Sequence, residues 1–430
     1  MNFILQFPPE LRLTVLFLLG CALGSLLNLG AYRLAWHRRS ISPWSATPSG
    51  APPRRASDLL PVFGWLGLRR ESSLHGRAFW VRPMLVELLT GGFMAGMYWW
   101  EFVHRALVPG VLEGDNPLLA PLANPDIFAA MHASYASHVL LFALMMVVSL
   151  IDMDEKIIPD TLTVPGTIAA LLIAAIYPWS LLPSVVWLFK NGWALDFMRL
   201  NFPNPWPDWL GGTPNTGSLL LALLCWWGWC FALMPRRWIL RRGWRQAWIW
   251  FWARLCKERG TYILLGLGVA GSVAIAAAWA DLDAARWSGL FSALVGLAGG
   301  GGLAWLVRLA GSWALRKEAM GFGDVTLMAM IGAFLGWQAA ILVFFVSPFA
   351  ALAVGIVQIA MRRGQEIPFG PFLCLAALGV IVGWAKLWPF VEGFFALGWP
   401  VPIVLVVCML FMGILLRAWR VFRGRVLGFN

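Results

Sequence analysis

Apolar runs alternate with short polar connections along the whole chain, at 13–34, 83–102, 138–151, 159–177, 219–234, 262–280, 287–309, 325–337, 339–361, 371–388 and 400–416. Each run closes its own backbone hydrogen bonds only as a helix, and about 20 apolar residues are needed to cross a bilayer. The pattern therefore predicts an all-α, polytopic integral membrane protein of about 11 transmembrane helices. Basic residues gather in every second connection: nine arginines face two acids in 33–82, and eight Arg/Lys face one acid in 236–259. The positive-inside rule then sets the N-terminus outside and the C-terminus inside. Gly20 and Gly24 in the first run, and Gly92 and Gly96 in the second, have the spacing of close helix contacts. The stretch 236–259 also carries five tryptophans and reads equally as an amphipathic helix on an anionic leaflet or as a plain basic loop.

Composition agrees. Of 430 residues, 60% are hydrophobic and 13% charged, where soluble domains carry roughly 25% charged residues. The net charge of +12 belongs to the connections between spans, so membrane lipids are its expected partners. Nucleic acid is not, because no soluble module is long enough to read it. The six cysteines form no C-x-x-C pair, which argues against both a disulfide framework and a zinc ribbon.

Two carboxylates fall where an apolar run meets a polar one. Asp152 ends the run 139–151, and Asp324 follows Gly321-Phe322-Gly323 and opens the run 325–337. A carboxylate at that depth is unfavourable unless it faces a cavity or a partner. The alternation of spans puts both on one membrane face, on different helices. Peptide hydrolysis by two carboxylates requires them to share a proton, one activating water and the other polarising the scissile carbonyl. Taken alone, G-x-G-D is a weak pattern whose plain reading is a turn with Asp324 capping a helix.

Six blocks in order make a far more specific signal. They are Gly24-Ser25-Leu26-Leu27-Asn28 with Tyr32-Arg33-Leu34, Leu60 to Leu66, Pro83 to Gly91, Asp152 with Ile158-Pro159-Asp160, Gly321-Phe322-Gly323-Asp324, and Ile367-Pro368-Phe369-Gly370-Pro371-Phe372. Together they resemble the type IV prepilin peptidases, GxGD-type aspartic proteases of the bacterial inner membrane, over roughly two-thirds of the chain. The resemblance implies Asp152 and Asp324 as the catalytic pair, with Gly321, Gly323, Pro368, Gly370 and Pro371 as the motif around the substrate. It implies pilin-like precursor proteins as substrates, cut after a short basic leader at the cytoplasmic face. Glu87 and Asp160 are expected as supporting residues, Glu87 in a structural pairing and Asp160 as a helix cap. Asp154 and Glu155 read most simply as solvated interfacial charges.

The chain departs from the family in three places. Members usually hold zinc on two C-x-x-C pairs in the first loop. Here Ser42-Pro43-Trp44-Ser45 and Glu71-Ser72-Ser73-Leu74-His75 stand there, and His37 and His75 alone do not complete a tetrahedral set. No metal site is expected. Proteolysis by the pair needs no cofactor, and S-adenosylmethionine is required only if the N-methyltransferase activity of many members is kept. Thr326 stands where the family tends to have a lysine. Finally, the expected regions are 1–104 with the cysteine-free loop 33–82, a first core half at 138–178, an atypical insert at 179–287, a second core half at 288–388, and an extra helix and basic tail at 389–430. The rival readings are a catalytically silent scaffold of a pilus or type II secretion system, which would account for the lost cysteines, and an ion-coupled transporter. The latter lacks its usual internal repeat of broken helices.

Overall fold

The protein was analysed as a computed structural model. It describes residues 7–39, 41–45, 47, 50–108, 125–188, 192–207, 209–210, 214–234, 258–315, 318–360 and 368–426. Most of the basic, tryptophan-rich stretch 236–259 lies outside the described residues, as do Arg316, Lys317, Arg362, Arg363 and Ile367.

The described chain is an all-α polytopic membrane protein. Its long helices are α1 (Pro9–Leu34), α2 (Val81–Tyr98), α3 (Pro125–Glu155), α4 (Asp160–Ile176), α5 (Thr216–Leu233), α6 (Arg259–Asp281), α7 (Ala284–Leu315), α8 (Phe322–Leu335), α9 (Trp337–Ala360), α10 (Gly370–Phe395) and α11 (Pro400–Val426). Seven helices among the described residues are long and apolar enough to cross a membrane. Helix α3 starts at Pro125 rather than at residue 138. The turns around 125–137 that read as an outer connection hold Ala129, Ala130, Met131 and Ala133, and small apolar residues extend a helix readily.

Helix α8 is apolar all round and accordingly buried all round, from Asp324 to Leu335. Its 14 residues span only about 21 Å, against about 30 Å of bilayer hydrocarbon. Helix α8 is therefore too short to cross by itself and is enclosed by its neighbours from Asp324 to Leu335. Helix α7 approaches it backbone to backbone: a Cβ on Gly296 would lie 2.0 Å from the Gly332 carbonyl oxygen, and one on Gly332 would lie 2.1 Å from that of Gly296. Only glycine fits at either position. Gly332→Ala is expected to destabilise the protein by about 1–3 kcal/mol, the usual penalty for overpacking, measured as lost thermal stability in detergent. On the other side of the bundle Gly20 and Gly24 meet α2 as expected, but they do so at Gly91 and Glu87, while Gly92 and Gly96 face open space.

One departure from an all-helical reading lies in the stretch 179–287. Strands β1 (Pro183–Leu188) and β2 (Gly192–Phe197) form an antiparallel hairpin, favoured by Val185, Val186 and Trp187. The chain after it is tied into the helices. Gln338 Nε2 donates to the carbonyls of Arg199 and Phe202, Trp337 Nε1 to that of Leu200, and Leu200 N–H to Ser292 Oγ. This cap lies at the end of the bundle remote from the aspartates, because it holds the start of α9 and the first turns of α7.

Candidate functional site

Three chain breaks meet at the aspartate end: the link from α3 to α4, the residues before α8, and the residues before α10. Asp152 occupies the last turn of α3 and is buried, with 4% of its surface exposed. Its Oδ2 is fully enclosed and has no hydrogen-bond partner among the described residues. Facing that oxygen is the backbone of Gly370, where a Cβ would lie 2.4 Å away. Asp324 is 9% exposed. It is the third residue of α8, not its cap; Gly321 holds the cap position, and the Asp324 carboxylate folds back over Gly321. Cys374, one turn along α10 from Gly370, sets its thiol against the Met145 carbonyl of α3.

Ile158 joins the three breaks. A Cβ on Gly323 would lie 2.6 Å from the Cβ of Ile158, and one on Gly370 would lie 3.0 Å from its Cδ1. Glycine at both positions thus lets the α3–α4 link wedge between the starts of α8 and α10. Pro371 sits in the first turn of α10, where a missing N–H is harmless, and Pro368 lies just ahead of it. Asp152, Asp324, Gly321, Gly323, Gly370 and Pro371 are thereby brought to one junction. Ile158 was singled out only as part of the Ile158-Pro159-Asp160 block and Cys374 not at all, since nothing in a lone apolar residue marks it as a wedge.

The junction predicts a split between stability and activity for Gly370→Ala. The clash falls on the end of a side chain that can swing aside, so the fold is expected to be nearly unchanged. The carboxylate must move, however, and a displacement of about 1 Å lowers turnover on the order of 100-fold. A fall in kcat at unchanged KM and melting temperature checks this.

Asp160 does not cap α4, because Pro159 holds that position; Asp160 is the first helical residue and faces the Thr326 side chain. Thr326 Oγ1 also donates to the Gly323 carbonyl, so the residue standing at the family's lysine position braces the glycine turn. Glu87 lies away from the junction in a buried network. It accepts from Ser25 Oγ and Trp65 Nε1, at 2.7 and 2.8 Å, and from the Val62 N–H. Asp154 and Glu155 are not simply solvated charges. Asp154 pairs with Arg82 and Arg39, and Glu155 accepts from the N–H groups of Trp36 and His37. These contacts pin the first loop to the turn that carries Asp152.

Within that loop a guanidinium occupies the centre. Arg54 binds Glu71 through two bonds, Nε to Oε1 at 2.9 Å and Nη2 to Oε2 at 3.0 Å. Its Nη1 donates to the carbonyls of Ser42 and Ser45 at 2.6 and 2.7 Å. Glu71 is 0% exposed, and His75 Nε2 stands 3.7 Å from it. Arg54 thus cross-links the two segments that stand in place of the family's cysteine pairs. These residues do not fit a zinc ion: the one carboxylate is already doubly bonded to a cation. No group of three metal-ligating side chains occurs among the described residues.

Fold and site together define a class: polytopic helical membrane proteins with two enclosed carboxylates at a junction of glycine-rich helix starts. Comparison with known families narrows it. Residues 18–102 match the bacterial peptidase A24 N-terminal domain, and residues 252–356 match the type IV leader peptidase family. Over these two stretches the chain is similar to the type IV leader peptidase family. It is similar to the prepilin leader peptidase/N-methyltransferase of Stutzerimonas stutzeri, 37% identical over 114 residues, which is 26% of this chain and 35% of that protein. The protein of the same name from Aeromonas hydrophila is 38% identical over 103 residues, 23% of this chain and 33% of that one. The matched stretch thus spans about a third of the length of these curated relatives. No solved structure matches the chain. Asp324 lies within the second match and Asp152 lies outside both.

Proposed function

We propose that the protein is a membrane aspartic endopeptidase that removes the leader of pilin-like precursors at the cytoplasmic face of a bacterial inner membrane. The observation that carries this reading is the enclosure of Asp152 and Asp324 together at the Ile158, Gly323 and Gly370 junction. Two like charges in a poorly solvated site cannot both ionise, so the pair holds one proton. The ionised member takes a proton from water, and the hydroxide formed adds to the scissile carbonyl. The protonated member donates a hydrogen bond to that carbonyl oxygen. Collapse of the tetrahedral intermediate passes a proton to the leaving amine and restores the shared proton. The helical stretch at a cleavage site must unwind first, and the junction supplies non-helical backbone on three sides.

The names of the relatives also include N-methyltransferase, an activity that would call for S-adenosylmethionine. The two buried loop carboxylates that could grip such a group, Asp58 and Glu71, are taken by Arg70 and Arg54. Neither carboxylate is open to such a group, while the relatives' shared name keeps the second activity compatible with this chain. On this reading the stretches 138–178 and 288–388 form the two halves of the peptidase core and 389–430 is an addition to it, while the expected insert 179–287 is an addition only up to residue 251, because the family match begins at residue 252.

The test is co-expression with each pilin-like precursor of the same genome, followed by mass measurement of the product. Removal of the leader is the expected result. Precursors left intact by a well-expressed wild-type protein would overturn the reading in favour of a scaffold.

A further inference from the structure

A cavity of about 270 Å³ lies between α5, α7 and α8, on the far side of α8 from the catalytic junction. Its walls include Gly228 and Trp229 of α5, Gly302 and Trp305 of α7, and Phe322 and Val325 of α8. At 3.6 residues per turn, Phe322, Val325 and Ala329 share a stripe of α8 that faces away from Asp324; Thr326, which also lines the cavity, is the residue it shares with the junction. The lining is almost wholly carbon. An apolar cavity of this size stays dry and takes apolar molecules. Most of its walls belong to the half of each helix nearest the aspartate end, with Leu224, Leu297, Ala298 and Ala329 lying just past the midpoints.

The mouth is charged. Arg308 lies one turn beyond Trp305 on the same face of α7, and its guanidinium stacks over the Phe322 ring at 5.6 Å. Its Nε donates to the Met320 carbonyl and its Nη2 to Glu318. Both N–H groups of Nη1 remain without a partner among the described residues, and a quarter of the side chain is exposed (26%). Its partner Glu318 is 65% exposed and is held only at the surface.

We propose that this is a binding site for an anionic phospholipid, one acyl chain filling the cavity behind α8 and the phosphate resting on Nη1 of Arg308. The chain satisfies carbon walls that water cannot, and the phosphate meets the two free donors of a planar guanidinium. A zwitterionic lipid offers the same chain but adds a cation beside Arg308. The assignment does not depend on the protein being a protease.

The test uses the purified full-length protein in a neutral detergent, with dioleoyl phosphatidylglycerol or dioleoyl phosphatidylcholine added, read by native mass spectrometry and by thermal unfolding. Wild type is expected to retain one phosphatidylglycerol and to prefer it by about fivefold, the factor for one basic residue at an anionic surface. Glycerol phosphate, lacking the chain, is expected to produce no shift. A Cβ at Gly302 or at Gly228 meets nothing within 4 Å, so Gly302→Leu and Gly228→Leu should fold, fill the cavity and each abolish retention. Arg308→Gln should leave retention but erase the preference, and Glu318→Gln, which frees Nη2, should sharpen it. Equal retention of the two lipids by wild type would overturn the proposal. So would lipid retained by either folded leucine variant; if one fails to fold, the other decides.

Discussion

Asp324→Asn and Asp152→Asn are each expected to reduce leader cleavage by about 10³-fold or more, and the double variant is expected to be no worse than either. General acid–base catalysis by a placed side chain contributes about 10²–10⁴-fold, and the two carboxylates act as one proton-sharing unit. Removing one member removes the unit, so the losses do not add. Asparagine keeps the shape of the side chain but neither ionises nor carries the shared proton. Folding should be unharmed or improved, because each variant removes one of two buried carboxylic groups held at the same junction, and active sites commonly hold such strain at the expense of stability. The measurement is precursor processing in membranes, with protein level and melting temperature followed in parallel. Processing that survives either single change would remove the proton-sharing mechanism. Losses that multiply in the double variant would assign the residues separate roles.

Arg54→Ala is expected to have the largest effect on stability, about 3–5 kcal/mol within the first loop. Its removal leaves the Glu71 carboxylate enclosed with no cation bonded to it, which is the severe case for buried ion pairs. Pairing the change with Glu71→Leu should recover most of the loss, since an apolar replacement of both partners is often neutral. Limited proteolysis of residues 40–76 is the direct readout, because local opening of one loop need not change the cooperative melting of the helices. A chelator is expected to leave the same proteolysis pattern unchanged, as the cross-link here is a guanidinium. Cleavage activity should fall as well, though less than in the aspartate variants. The loop is tied to the last turn of α3 through Arg82, Arg39 and the N–H groups of Trp36 and His37, and that turn carries Asp152.

The lost cysteines and the buried guanidinium are two sides of one change. From sequence, Ser42 to Ser45 and Glu71 to His75 read as a worn metal site. In the fold, the Ser42 and Ser45 carbonyls and Glu71 still converge, and a side chain from residue 54 stands at their centre. One arginine among the nine in 33–82 carries no mark of that role, because the partners it selects are two main-chain oxygens and a carboxylate 17 residues away.

Hydrophobic run length determined the architecture before any coordinates, because a bilayer demands helices of stated length and leaves no other way to satisfy the backbone. The same boundary logic picked out Asp152 and Asp324, since a carboxylate at the edge of an apolar run needs a reason to be there. Glu87 was legible as a buried carboxylate, although its partners are the neutral donors Ser25, Val62 N–H and Trp65. What only the tertiary structure decided is what the breaks between helices do to one another. That Ile158 wedges between Gly323 and Gly370, that Gly91 rather than Gly92 or Gly96 meets the first helix, and that Gly296 and Gly332 touch backbone to backbone all depend on helix rotation. Rotation is set by packing against several neighbours at once. Periodicity fixes where a helix runs and leaves its azimuth open when the helix is apolar on every side, as α8 is.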